Sequence, residues 1–194
     1  MTKLISTSLL LFSVIVGFSQ NAINYLETKN TLTFDNQDYN LVWSTHPNAT
    51  YYKQEYLPKE EKLDRFKKMV TIDFLQGDFK VKDFVNQKIQ ELENAKKLNP
   101  VINYNVVEKG EETILDFLMS VNSKDGKTIL VVERNVYRYK KYQNADSKGL
   151  LLYAVSERAY DNEIADFFKK LKTDKNNLMT KVSAVEIPAI NLKK

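Results

Sequence analysis

The chain has 194 residues, with 29 Lys and Arg against 25 Asp and Glu and one His, for a formal charge of +4. It contains no cysteine, which excludes disulfides, cysteine nucleophiles and thiolate metal sites. Acids and bases are interleaved, as in Lys59-Glu60-Glu61-Lys62-Leu63-Asp64-Arg65, so the charge reads as solvated faces and not as the concentrated basic stripe of a nucleic-acid binder.

The first nineteen residues have the layout of a secretory signal peptide. A short positive start, Met1-Thr2-Lys3, leads to the apolar run Leu9 to Val16, and Gly17-Phe18-Ser19 puts small residues at the two positions a signal peptidase reads. The run is shorter than the roughly 20 apolar residues of a membrane span. The expected product is an exported soluble protein, periplasmic or extracellular, cut after Ser19. With no cysteine at the cut, no lipid anchor is expected.

Residues 20–30 read as a lead-in, loose or briefly helical. Thr31-Leu32-Thr33-Phe34 alternates as a strand, and Asp35-Asn36-Gln37-Asp38 is a turn cluster. Tyr39 to Ser44 reads as a second strand, closed by His46-Pro47-Asn48. Thr50 to Leu57 is a Tyr-rich third strand stopped by Pro58. Lys68 to Leu75 is β-branched and apolar, a buried strand. Gly77-Asp78 signals a stop and a helix N-cap. Val81, Phe84, Val85, Ile89, Leu92, Ala95 and Leu98 then fall at helical spacing, up to Asn99-Pro100. A four-strand meander follows: Ile102–Glu108, Thr113–Val121, Ile129–Tyr142 and Leu150–Glu157, with Asp125-Gly126 as a hairpin turn. Asp161 opens a long final helix carrying Ile164, Phe167, Phe168, Leu171, Leu178, Val182 and Val185, with a polar gap near Lys175, ended by Pro188.

The pattern predicts one α+β domain over residues 31–194: a largely antiparallel sheet with two amphipathic helices. This element order resembles the PsbP-like α/β/α sandwich, which implies helices on both faces. The segment Tyr51-Tyr52-Lys53-Gln54-Glu55-Tyr56-Leu57-Pro58, followed by Lys68-Met69-Val70-Thr71-Ile72, resembles small exported proteins of Bacteroidota-type bacteria. The resemblance spans about Leu32 to Pro188 and implies no catalytic residues. A helix-grip fold, with a curved sheet around the C-terminal helix, is the structural rival.

Familiar chemistry is sparse. Gly77, Gly110, Gly126 and Gly149 each sit alone at a turn, so neither a P-loop nor a dinucleotide fingerprint is present. His46 is the only base a Ser-His-Asp arrangement could use, and a zinc site built on it would need carboxylates alone. Glu60-Glu61, Glu111-Glu112 and the pair Asp161 and Glu163 supply carboxylates, but a glycosidase needs two facing each other across a cleft. Asn122-Ser123-Lys124-Asp125-Gly126 lacks the bidentate glutamate of a calcium loop. Arg134, Arg138, Lys140 and Lys141 form either an anion-attracting strip or a charged face that discourages edge pairing. Asn48-Ala49-Thr50 matches a glycosylation sequon.

The aromatic residues remain. Trp43, Tyr51, Tyr52, Tyr56, Tyr137 and Tyr139 fall on predicted strands and are the candidate binding residues, because each pairs a large apolar body with a polar handle. The alternative is ordinary cross-strand packing. The sequence therefore reads as an exported, non-enzymatic binding domain for a protein or envelope partner, with no cofactor, metal or nucleic acid. Two other classes stay open: a carrier of a small apolar ligand between the sheet and the C-terminal helix, and a carboxylate-dependent hydrolase.

Overall fold

The structure is a computed structural model that describes residues 22–174 and 176–192. The signal-peptide reading lies outside the described residues. Among those described, eight strands form one open antiparallel sheet: β1 (Thr31–Phe34), β2 (Gln37–Asn48), β3 (Tyr51–Leu57), β4 (Lys68–Gln76), β5 (Asn103–Lys109), β6 (Glu112–Asn122), β7 (Ile129–Gln143) and β8 (Lys148–Tyr160). Their spatial order is β1-β2-β3-β4-β8-β7-β6-β5. Two four-strand meanders thus meet where β4 pairs with β8. That pairing runs without a bulge from Lys68 opposite Glu157 to Gln76 opposite Gly149. The α+β class and antiparallel sheet agree with the sequence.

Side chains alternate between the two faces, so the register fixes what each face carries. The front face holds Leu115, Phe117, Tyr139 and Leu150, packed under Val81, Val85 and Leu92 of α1 (Val81–Lys96). The back face holds Val70, Ile72, Phe74, Leu151, Tyr153 and Val155, packed under Leu178 and Val182 of α3 (Asn177–Ala184). On the same face α2 (Ile164–Thr173) sets Ile164 against Val132 and Ala159. Helices therefore lie on both sides of the sheet.

Several expectations need correction. The C-terminal helix is not continuous: a 3-10 turn (Asp161–Glu163) leads into α2, and α3 begins only at Asn177. Asp161 does not cap it but takes a left-handed backbone (φ 50°), and it pairs with Arg65 (3.1 Å). Asp78 is not the N-cap of α1 either; Lys80 holds that position without a side-chain cap, and Asp83 in the first turn complements the helix dipole. Strand β2 runs on through His46, Pro47 and Asn48. Pro47 is tolerated because β1 pairs only with residues 37–40 of β2, which leaves the outer edge at Pro47 without a partner strand to accept a hydrogen bond.

The segment before β1 is neither loose nor helical. Leu26 is fully buried in the back core, and its N–H donates to Gln54 Oε1 (2.9 Å). Gln54 Nε2 in turn donates to Tyr56 Oη (2.5 Å) and Thr28 Oγ1 (3.1 Å). Gln54 is wholly enclosed, so these bonds satisfy a group that would otherwise cost about 1–3 kcal/mol to bury. The C-terminal tail meets this segment: Asn191 N–H donates to the Leu26 carbonyl (2.9 Å), and Ile190 is fully buried. Both ends of the described chain thus close over the back face.

Gly149 sits at the close approach of β8 to β4. A Cβ there would lie 2.3 Å from the Leu75 carbonyl oxygen and 2.5 Å from the Phe74 ring. Gly149→Ala is predicted to destabilise the fold by about 1–3 kcal/mol, the usual cost of overpacking. Urea denaturation measures this; a loss below about 0.5 kcal/mol, the level of a neutral surface change, would mean the approach is slack.

Candidate functional site

The six aromatic candidates separate by face. Tyr52 and Tyr56 point to the back core, and Tyr139 is buried under α1 on the front. Trp43, Tyr51 and Tyr137 share the front face and are each partly exposed. Tyr137 is set edge-on to Phe117 (4.8 Å between ring centroids) and to Tyr139 (6.1 Å). Buried Tyr56 bonds Thr28 Oγ1 (2.6 Å) and Gln54, and Tyr52 stacks on the His46 ring (4.0 Å, 9°). His46 Nδ1 lies 3.0 Å from the Tyr51 carbonyl oxygen, and the Tyr25 ring is tilted against the imidazole (5.5 Å, 51°). His46 thus serves as part of an aromatic stack joining the N-terminal segment to β3.

Cross-strand register builds a charged cluster between the front aromatics. Lys53 on β3 stands opposite Asp73 on β4, and Glu55, two residues along, stands opposite Thr71 and Trp43. Lys53 Nζ is 3.0 Å from Glu55 Oε1, and Tyr51 donates its hydroxyl to Asp73 Oδ2 (3.1 Å). Asp73 Oδ1 is enclosed and has no hydrogen-bond partner among the described residues. Burial pushes the Asp73 carboxyl above the usual carboxylate range, against the pull of Lys53 and the Tyr51 hydroxyl. Burial disfavours the charge on Lys53, but Asp73 and Glu55 outweigh it and hold the ammonium above its ordinary value. Burial, and then the Asp73 charge, raise the Tyr51 phenol as well.

Among the described residues, no helix packs on the half of the front face that carries this cluster. The apolar cluster under α1 draws on β5 to β8 and on no residue of β2 or β3. Beyond the cluster, the β3–β4 connection lays Leu63 and Phe66 over Leu57 and Met69. Arg158 stacks on Phe66 (3.9 Å) and pairs with Glu133. Sequence reasoning missed Lys53, Glu55 and Asp73. Their alternation with Tyr52, Gln54 and Ile72 marks one polar face, but only the β3–β4 register joins them.

Three of the four basic residues of β7 are committed within the fold, and Lys141 is exposed. Arg134 grips Asp116 through Nε and Nη2 (3.0 and 2.7 Å). Arg138 binds Glu112 (2.7 Å) and the Val185 carbonyl (2.8 Å) at the end of α3. Lys140 lies 3.6 Å from Glu112. Strand β7 is interior, between β6 and β8, so this charge does not guard an edge. Among the described residues, no group of three His, Asp or Glu is placed to hold a metal ion.

A cleft of about 60 Å³ opens on the back face, where the carrier reading would place its ligand. Apolar-ligand pockets usually have roughly 300–1,000 Å³. This one has a floor of Lys68, Glu157 and Arg134 beneath the C-terminal helices.

Because the Asp73 carboxyl is raised, its burial lowers stability as pH climbs from the unfolded value of about 3.9 through the folded one. Asp73→Asn removes that dependence. The variant is predicted to gain stability relative to wild type between pH 3.5 and pH 7 in urea titrations, with about 3.5 as the acidic end of carboxylate titration. A difference that shrinks over this range would contradict the assignment.

Among the described residues no helix is long and apolar enough to cross a membrane. No curated protein and no solved structure matches the chain. A protein-family model does match, over residues 26–187, from the first buried core residue of the N-terminal segment to the end of the helical layer; the chain belongs to that family.

Proposed function

We propose that the chain is an exported, non-enzymatic binding domain that contacts a protein or envelope partner through the open half of its front face. The observation that carries this reading is the arrangement on β2 to β4. Trp43 and Tyr51 flank Lys53, Glu55 and Asp73 on a sheet surface without a helix above it. Aromatic side chains give such a surface large contact area at small entropic cost, and the charges give register. The apolar run before Ser19 supports export, and the PsbP-like element order fits a domain of this kind.

The helices leave this face open while α3 and the N- and C-terminal segments close the back. That asymmetry leaves Trp43 and Tyr51 only half-buried, and their exposed apolar area forgoes burial worth about 25 cal/mol per Å². Partner contact would restore that burial.

Co-sedimentation with the native envelope fraction tests the reading, comparing wild type with Trp43→Ala and Tyr51→Ala. Truncating a central aromatic typically costs 2 kcal/mol or more, so each variant is predicted to lose about thirtyfold in apparent affinity. Circular dichroism controls for folding. Variants that bind as wild type would move the surface elsewhere, and a wild-type protein that recovers nothing would overturn the reading.

A further inference from the structure

The two ends of the sheet are finished differently. Strand order puts β1 at one end and β5 at the other. An open strand edge presents unpaired N–H and C=O groups, a template for another strand, unless it is short, bulged or broken by proline. The β1 end has all three features. β1 has only four residues, and β2 shifts register against β3 between Leu41 and Trp43 and again between Thr45 and Asn48. Pro47 removes a donor from the stretch of β2 that β1 leaves uncovered. Strand β5 has none of them. It runs seven residues opposite β6 without a register shift and contains no proline.

The turn after β5 fixes which of its groups point outward. Gly110 and Glu111 form a two-residue turn between Lys109 and Glu112, so that flanking pair is hydrogen-bonded and the odd-numbered residues of β5 bond β6. The even-numbered residues, Tyr104, Val106 and Glu108, then aim their N–H and C=O groups away from the sheet. Tyr104 N–H accordingly donates to the adjacent Asn103 Oδ1 (2.9 Å). Among the described residues, no other segment meets the outward groups of Val106 and Glu108. Asn103, Asn105, Glu108 and Lys109 are exposed, so this edge is open to solvent.

We propose that β5 pairs antiparallel with β5 of a second copy of this chain, giving a dimer with its twofold axis at Val106. Only that register engages all three outward residues of both copies. Val106 then faces Val106, and Tyr104 faces Glu108, each pair exchanging N–H···O bonds. On the back face Asn103 stands opposite Lys109, and Asn105 opposite Val107. The two charged residues of β5 thus meet a hydroxyl-bearing ring and an amide, and no like charges are opposed. Asn103, an exposed side chain, releases Tyr104 N–H on pairing and turns its oxygen to the Lys109 ammonium. Such a contact uses both β5 edges at once, so assembly closes at two copies, and the blunted β1 ends stop further growth. The surface of Trp43 and Tyr51, on β2 and β3 toward the other end of the sheet, stays uncovered.

Sedimentation velocity of the purified protein from about 1 μM to about 1 mM, the range of weak specific association, tests this. A reversible monomer–dimer equilibrium is expected, with no larger species. Glu108→Pro removes an outward donor that the monomer does not use. It should weaken the dimer at least tenfold and leave the far-UV circular dichroism unchanged. Two substitutions at an exposed position read the register. Asn103→Glu, set against Lys109, should tighten the dimer, and Asn103→Lys should weaken it, each by at least about twofold. If Glu108→Pro disturbs the fold, the Asn103 pair decides alone. A protein that stays monomeric to about 1 mM would overturn the proposal. So would open-ended oligomers, a dimer indifferent to a folded Glu108→Pro, or equal dimerisation of Asn103→Glu and Asn103→Lys.

Discussion

The structure depends on the pairing of β4 with β8. Joined, the two meanders put Val70, Ile72 and Phe74 beside Leu151, Tyr153 and Val155, all essentially without solvent contact. Both strands are interior, and β8 is packed on both faces, which explains why it reads as a nearly continuous apolar run. The close approach needs a residue without a side chain at Gly149, where β8 passes the Leu75 carbonyl. With no disulfide available, this pairing and the cores on its two sides hold the domain together.

The same pairing decides where polar groups can go. Residues of β3 and β4 that face the back are drawn into the core, so Gln54 has to be met fully by the N-terminal segment and Tyr56. Residues that face the front escape α1, which sits over the second meander. Lys53, Glu55 and Asp73 are therefore held together in partial burial, with one carboxylate oxygen left without a donor. A buried polar group left unsatisfied in an otherwise well-bonded fold marks a place shaped by something other than stability. On the back, the Lys68–Glu157–Arg134 row exists only because β4, β8 and β7 lie side by side.

Much of this was legible in the sequence. Alternation and turn residues located all eight strands, and the 3.6-residue period located α1, because those signals are local. The pairing of β4 with β8 has no local signal, since α1 and three strands separate them in the chain. The docking of the lead-in has no local signal because Tyr25, Leu26 and Thr28 meet partners on β2 and β3 and show no periodicity of their own. The final helix was read as continuous because its apolar positions keep phase across the gap between Thr173 and Asn177. For the site, alternation puts Tyr137 and Tyr139 on one face. It could not show that α1 would bury Tyr139, nor that Lys53 would meet Asp73, because both depend on contacts distant in sequence.

Native-state hydrogen exchange tests the dependence on this pairing most directly, since amides in one cooperative unit open together. The account predicts that the interior amides of 70–75 and 150–155 exchange together, as the slowest set in the chain, through global unfolding. Amides of β4 that exchange well before those of β8, with the first meander opening while the second stays closed, would contradict it.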